Sequence, residues 1–194
     1  AFLPARLQWM TRPFAILISV ITLIIAWSLW GSFDIHSGSM QYSEESLWNP
    51  RLGSSYALGI DGISYPMVLL ATLLSLISVI ASKSIVERVK GYYSLILVLE
   101  AAMLGVFMAQ DWSLFYIFWE LMLIPMYFMI GIWGGKNRIY AAVKFFIFTA
   151  VGSLLMLVAI IYIYYWAVTH GQPVEGFGIQ EFYQLGIPSD IQRW

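Results

Sequence analysis

Apolar and polar positions along this chain do not alternate. They come in blocks, and five blocks are long enough to cross a membrane: Phe14–Trp30, Ile63–Ser82, Tyr92–Met108, Ser113–Trp133 and Ile139–Trp166. About 20 helical residues at 1.5 Å each traverse a hydrocarbon core of roughly 30 Å. The continuous runs argue against spanning strands, which would also leave backbone groups unpaired in lipid. The pattern predicts an all-α, polytopic membrane bundle of five helices in a single domain. A polar outer loop spans 31–62 and an outer tail spans 167–194.

Composition sharpens this picture. Of 194 residues, 60% are hydrophobic and 11% charged, against about 45–50% and 25% in soluble domains. Mean hydropathy is +0.77. A net charge of −1 gives no footprint for nucleic acid, so lipid and other membrane segments are the expected partners. With no cysteine, thiolate-ligated clusters, zinc–thiolate sites and disulfides are excluded. His36 and His170 both fall between apolar blocks, which argues against a haem held between two spans. No redox cofactor or metal is therefore expected on this chain. No internal repeat is evident. AFLPAR reads as the continuation of something earlier and IPSDIQRW carries no terminal signal, so a fragment of a longer polypeptide is expected. No small-residue cleavage site follows the first block, as a signal peptide would require.

Loop charge sets an orientation. Arg6, Arg12, Lys83, Arg88, Lys90, Lys136 and Arg138 fall on one side of a five-span arrangement. The other side carries only Arg51 and Arg193, with Asp34, Glu44, Glu45, Asp61, Asp111, Glu175, Glu181 and Asp190. We call these the basic and acidic faces. The start of the chain is then expected on the cytoplasmic, stromal or matrix side. Asp61, in GIDGIS, reads as a helix-start residue. Trp27, Trp30, Trp112, Trp133 and Trp166 lie at span ends, as interfacial aromatics do.

Three ionisable residues sit inside the spans: Glu100, Glu120 and Lys144. Each costs about 3 kcal/mol on insertion scales. At 1.5 Å per residue, Glu120 lies about 12 Å below the outer end of its span and about 20 Å above the inner end. Lys144 lies about 7 Å above its inner end, some 12 Å from the level of Glu120. Glu100 is about 12 Å above the inner surface, so on depth alone it meets Lys144 more easily than Glu120 does. In hydrocarbon, acids and amines move towards their neutral forms and become able to exchange protons. Such groups spaced through a bundle make a proton relay. The alternatives are a snorkelling Lys144, a hydrogen-bonded structural Glu100 and a structural Glu120. Pro125, five residues after Glu120, frees a backbone carbonyl one turn back, while Gly152 and Ser153 read as close-packing residues.

The stretches FYIFWELMLIPMYFMIGIWGG and RIYAAVKFFIFTAVGSLLML, with LGIDGIS and LGVFMAQD upstream, resemble the antiporter-like subunit four (NuoM/NdhD type) of NADH:quinone oxidoreductase, respiratory complex I or its photosynthetic relative. The resemblance implies a proton-pumping subunit of about fourteen helices, each about 20 residues long, of which this chain holds the second through sixth. It places Glu120 at the family's fifth-helix glutamate and Lys144 at the lysine of its KFF motif; Glu100 rests on the physical argument alone. It further implies an oxidoreductase subunit that is not itself redox-active. Flavin, iron–sulfur clusters and quinone would belong to partner subunits, and other antiporter-like subunits would be neighbours. The bacterial inner membrane is the expected location, with thylakoid and mitochondrial inner membranes as alternatives. Two rival readings stand beside this one: a multisubunit cation/proton antiporter or membrane-bound hydrogenase subunit, and a structural subunit whose buried charges only fix packing.

Overall fold

A computed structural model describes residues 9–50, 53–172 and 174–188. Arg6, Arg51, Asp190 and Arg193 of the charge count, and the two terminal stretches, lie outside the described residues. The five expected spans are five helices: α1 Thr11–Ser28, α2 Ser64–Ala81, α3 Val89–Met108, α4 Trp112–Trp133 and α5 Arg138–Thr169. Short 3-10 turns, Leu29–Ser32 and Ser82–Ser84, extend α1 and α2. At 32 residues, α5 is about 48 Å long and overshoots a bilayer core of roughly 30 Å. All five are long and apolar enough to cross a membrane, and this is an integral membrane chain. A helix is favoured in lipid because it satisfies its own backbone.

The helices pack in chain order, α1 on α2, α2 on α3, α3 on α4 and α4 on α5, with α1 also touching α3. One apolar cluster, Ala15, Val79, Tyr93 and Ile96, holds the basic end. A second, Ala26, Ile60, Tyr65 and Val68, holds the acidic end. Both buried tyrosines keep their hydroxyls partnered, as burial demands: Tyr93 donates to the Ser82 carbonyl at 3.0 Å and Tyr65 to the Ala26 carbonyl at 2.9 Å. The Trp133 indole ties the end of α4 to the α2–α3 loop by donating to the Glu87 carbonyl at 2.9 Å. At Gly105 a Cβ would overlap the Phe118 ring, so the missing side chain lets α3 and α4 approach.

The outer loop departs from expectation by folding into an antiparallel hairpin, β1 Gln41–Asn49 and β2 Ser54–Ile60. The Gly53 turn sits at φ 64°, with its backbone against Glu175 and Gly176. The α3–α4 link lies between this hairpin and the tail. Gln110 N–H donates to the Ala57 carbonyl at 2.8 Å, Trp112 N–H to Phe177 at 2.8 Å, and Ile179 N–H to Gln110 at 2.9 Å. A short helix, α6 Ile179–Tyr183, follows. Hairpin, link and tail therefore cover the acidic face.

Candidate functional site

The α3–α4 link is only Ala109–Asp111 long, and it sets two carboxyls level with one another. Glu100 is eight residues before the end of α3 and Glu120 eight residues after the start of α4. Each lies about 12 Å in from the acidic-face end of its helix. The two face different neighbours.

Glu120 is half-buried on α4, with Oε1 buried and without a hydrogen-bond partner among the described residues. One turn earlier, the Tyr116 hydroxyl lies against both the Glu120 carboxyl and the Ser153 hydroxyl of α5. Ser153 is 4% exposed and donates to the Ala150 carbonyl at 3.0 Å. Carboxyl, phenol and hydroxyl thus form a polar thread from α4 to α5. Ser153 also lines a cavity of about 500 Å³ between α3, α4 and α5, whose other walls include Met103, Met122, Phe148 and Thr149. The Thr149 hydroxyl is occupied by the Phe145 carbonyl at 2.7 Å, which leaves the walls largely apolar. α4 runs unbroken through a buried Pro125.

Glu100 is 3% exposed and turned towards α1. Its Oε2 accepts from the fully buried Ser19 hydroxyl at 2.9 Å, while Oε1 has no partner among the described residues. Lys144 is exposed on α5, with Nζ 5.8 Å from the centre of the Tyr140 ring one turn before it. The structure therefore does not bring Glu100 and Lys144 together. Depth along the axis permits the contact, but each residue turns a helix by about 100°. That rotation points Glu100 at α1 and Lys144 away from the bundle.

Ser19, Tyr116 and the polar part played by Ser153 are absent from the sequence reading. Tyr116 had a signal, being four residues before Glu120 and hence on the same helix face. Ser19 had none, because its partner is 81 residues away.

The acidic residues at helix starts have structural work. Asp61 Oδ1 accepts from Ser64 N–H at 2.7 Å and Ile63 N–H at 3.0 Å, and Asp61 N–H donates back to the Ser64 hydroxyl at 2.9 Å. This reciprocal pair caps α2. The Ser64 backbone N–H in particular holds the Asp61 carboxyl below its usual range, against an opposing effect of partial burial. Asp111 caps α4: Oδ1 accepts from Ser113 N–H at 2.8 Å, from Leu114 N–H at 3.1 Å and from the Ser113 hydroxyl. Its Oδ2 accepts from Ser55 N–H of β2 at 3.0 Å, so one carboxylate ties the helix to the hairpin. Among the described residues no cluster of three His, Cys, Asp or Glu is arranged to hold a metal.

Comparison with known proteins points the same way as the motifs. Residues 109–171 match the family described as NADH:quinone oxidoreductase/Mrp antiporter, TM. The chain is 40% identical over 184 residues to the F(420)H(2) dehydrogenase subunit M of Methanosarcina mazei, covering 91% of this chain and 37% of that protein. It is 46% identical over 155 residues to the NADH-quinone oxidoreductase subunit M of Rhodobacter capsulatus, covering 80% of this chain and 30% of that one. The chain thus spans less than two-fifths of the length of these curated relatives. Among solved structures, respiratory complex I from Thermus thermophilus superimposes with a TM-score of 0.81 at 25% identity, covering 95% of this chain and 38% of that one. The Mrp complex from Dietzia sp. shares the fold at a TM-score of 0.70 and 21% identity, covering 86% and 18%. Over about four-fifths of its length the chain is therefore similar to subunit M of NADH-quinone oxidoreductase, and residues 109–171 match the transmembrane family shared with Mrp antiporters.

Proposed function

We propose that this chain is part of a proton-translocating membrane subunit of an NADH:quinone oxidoreductase-type complex, in which electron transfer in partner subunits drives protons through it. The observation that carries the reading is Glu120, about 12 Å inside its helix, with one oxygen buried and unpartnered among the described residues and the other members of the polar thread beside it. A carboxyl exchanges a proton, and a phenol or hydroxyl donates and accepts in the same step. Such groups in file move a proton between helices without a metal or redox centre. Glu100 with Ser19 supplies a second station at the same level, facing α1. Lys144, exposed on α5, is the third charged group and is open to the remainder of the subunit or to a neighbouring antiporter-like subunit. The reading assigns flavin, iron–sulfur clusters and quinone to partner subunits and no redox cofactor to this chain, which offers no cysteine. The bacterial inner membrane is the proposed location, with the basic face on the cytoplasmic side. The distribution of Lys and Arg supports that orientation.

The test is Glu120→Gln in the assembled complex, reconstituted in vesicles. Proton transport per electron should fall by at least about a hundredfold, the lower end of the range for a positioned acid–base group, with the complex intact. Wild-type transport in an intact variant complex rejects the reading. The rival reading, a cation/proton antiporter subunit, is favoured by the matched family's inclusion of Mrp antiporters. Co-purification of a flavin and iron–sulfur arm separates the two.

A further inference from the structure

We propose that a groove at the basic face, between the start of α1 and the end of α2, binds the phosphate of an anionic membrane phospholipid, with an acyl chain laid along α1. The groove holds about 670 Å³, and Arg12 and Lys83 both line it. Arg12 Nη2 donates to the Ile80 carbonyl in the last turn of α2 at 3.1 Å, which fixes the guanidinium at the mouth. Its Nε is buried and has no hydrogen-bond partner among the described residues. A guanidinium presents five donors in a planar fork suited to phosphate oxygens, and the Ile80 carbonyl takes one of them. Lys83 is exposed on the turn that follows α2 and adds a second cation without a rigid geometry.

The rest of the lining selects a lipid over a soluble anion. Pro13, Leu17 and Val20, about one turn apart, run from the level of Arg12 down α1 for about 10 Å. Leu17 is 54% exposed, and Trp9, 73% exposed, stands at the mouth as interfacial tryptophans do. Cations above an apolar stripe match a phosphodiester above an acyl chain, and basic pockets between membrane helices bind such headgroups. The opposite face is different in kind. Its surface groove is lined by Glu44, Glu45, Asp111 and Glu181, which repel an anion. The site is therefore specific to one leaflet.

The experiment uses the full-length subunit in its complex, placed in nanodiscs of phosphatidylcholine alone or mixed with phosphatidylglycerol, with retained lipid counted by native mass spectrometry. The wild type should retain phosphatidylglycerol in preference to phosphatidylcholine. The double variant Arg12→Gln/Lys83→Gln should lower that preference roughly 30-fold, the effect of two near-surface cations. Lys136→Gln, on the same face outside the groove, should leave it unchanged. If the double variant does not assemble, Lys83→Gln alone should lower it roughly fivefold. An unchanged preference in these groove variants overturns the proposal. So does equal loss of both lipids, which would mean an apolar trough only. Displacement of the lipid by inorganic phosphate would instead mean a site for free anions, and also overturns it.

Discussion

Ser19 and Glu100, 81 residues apart in the chain, are joined by a 2.9 Å hydrogen bond between α1 and α3, and both are buried. Among the described residues the Ser19 hydroxyl is the one donor to this carboxyl, whose other oxygen has no partner. Replacing Ser19 by Ala removes that donor and leaves both oxygens bare. The expected cost is about 1–3 kcal/mol, the desolvation penalty of an unmade bond, read as a lower unfolding midpoint of the purified subunit. A packing role alone would give the same loss. The distinguishing readout is the carboxyl infrared band that Glu100→Gln removes, which should shift in Ser19→Ala and return in Ser19→Thr. A band unmoved by Ser19→Ala removes the case for Ser19 as the group that positions Glu100.

The thread from Glu120 to Ser153 runs through one hydroxyl, that of Tyr116. Tyr116→Phe keeps the ring and deletes only the proton-carrying oxygen. Proton transport should fall by roughly a hundredfold, the lower end of the range for removing an acid–base group, while assembly is kept. Combined with Glu120→Gln it should add little, since groups acting as one unit are not additive. Multiplicative effects in the double variant would show that the two act separately.

Gly105 accommodates the Phe118 ring where a Cβ would overlap it. Gly105→Val should destabilise the α3–α4 pair by about 1–3 kcal/mol through overpacking. Phe118→Leu in the same chain should recover part of that loss. Thermal unfolding of the two variants checks the compensation, and failure to recover would locate the strain elsewhere.

Asp111 joins α4 to β2 through its two oxygens. Asp111→Ala should cost about 0.5–2 kcal/mol for the cap alone and also leave Ser55 N–H without its acceptor. Hydrogen exchange should therefore accelerate in β2 as well as in the first turn of α4. Acceleration confined to α4 would mean that the hairpin is held independently.

Asp61 gives a pH dependence of known sign. Its folded-state carboxyl titrates below the usual value of 3.8, chiefly because Ser64 N–H donates to the charged form. Its contribution is thus fully present above that value and is lost as pH falls through the lower, folded value. Asp61→Asn retains a capping acceptor but not the charge. The stability difference between wild type and this variant should be constant near neutrality and shrink under acid. A difference that grows on acidification contradicts the assignment.

Much of this architecture was legible in the order of residues. Five spans follow from five apolar blocks because hydrocarbon requires about 20 internally bonded residues per crossing. The capping of α2 by Asp61 and the depth of Glu120 follow from local position, since rise per residue is fixed. The hairpin escaped notice because β1 is mostly exposed and carries no apolar alternation, although Asn49 at the end of β1 and Pro50 and Gly53 between the two strands are turn residues.

What the amino-acid order could not say is which way each helix faces. A helix apolar on all sides carries no stripe to orient it, and lipid is as apolar as a neighbouring leucine. Sequence therefore placed Glu100, Glu120 and Lys144 inside apolar blocks, while the observed ends of α3 and α4 set Glu100 level with Glu120. Only tertiary packing turned Glu100 to Ser19, left Lys144 outside and set Tyr116 between Glu120 and Ser153. Those pairings depend on rotations about helix axes that long-range contacts alone fix.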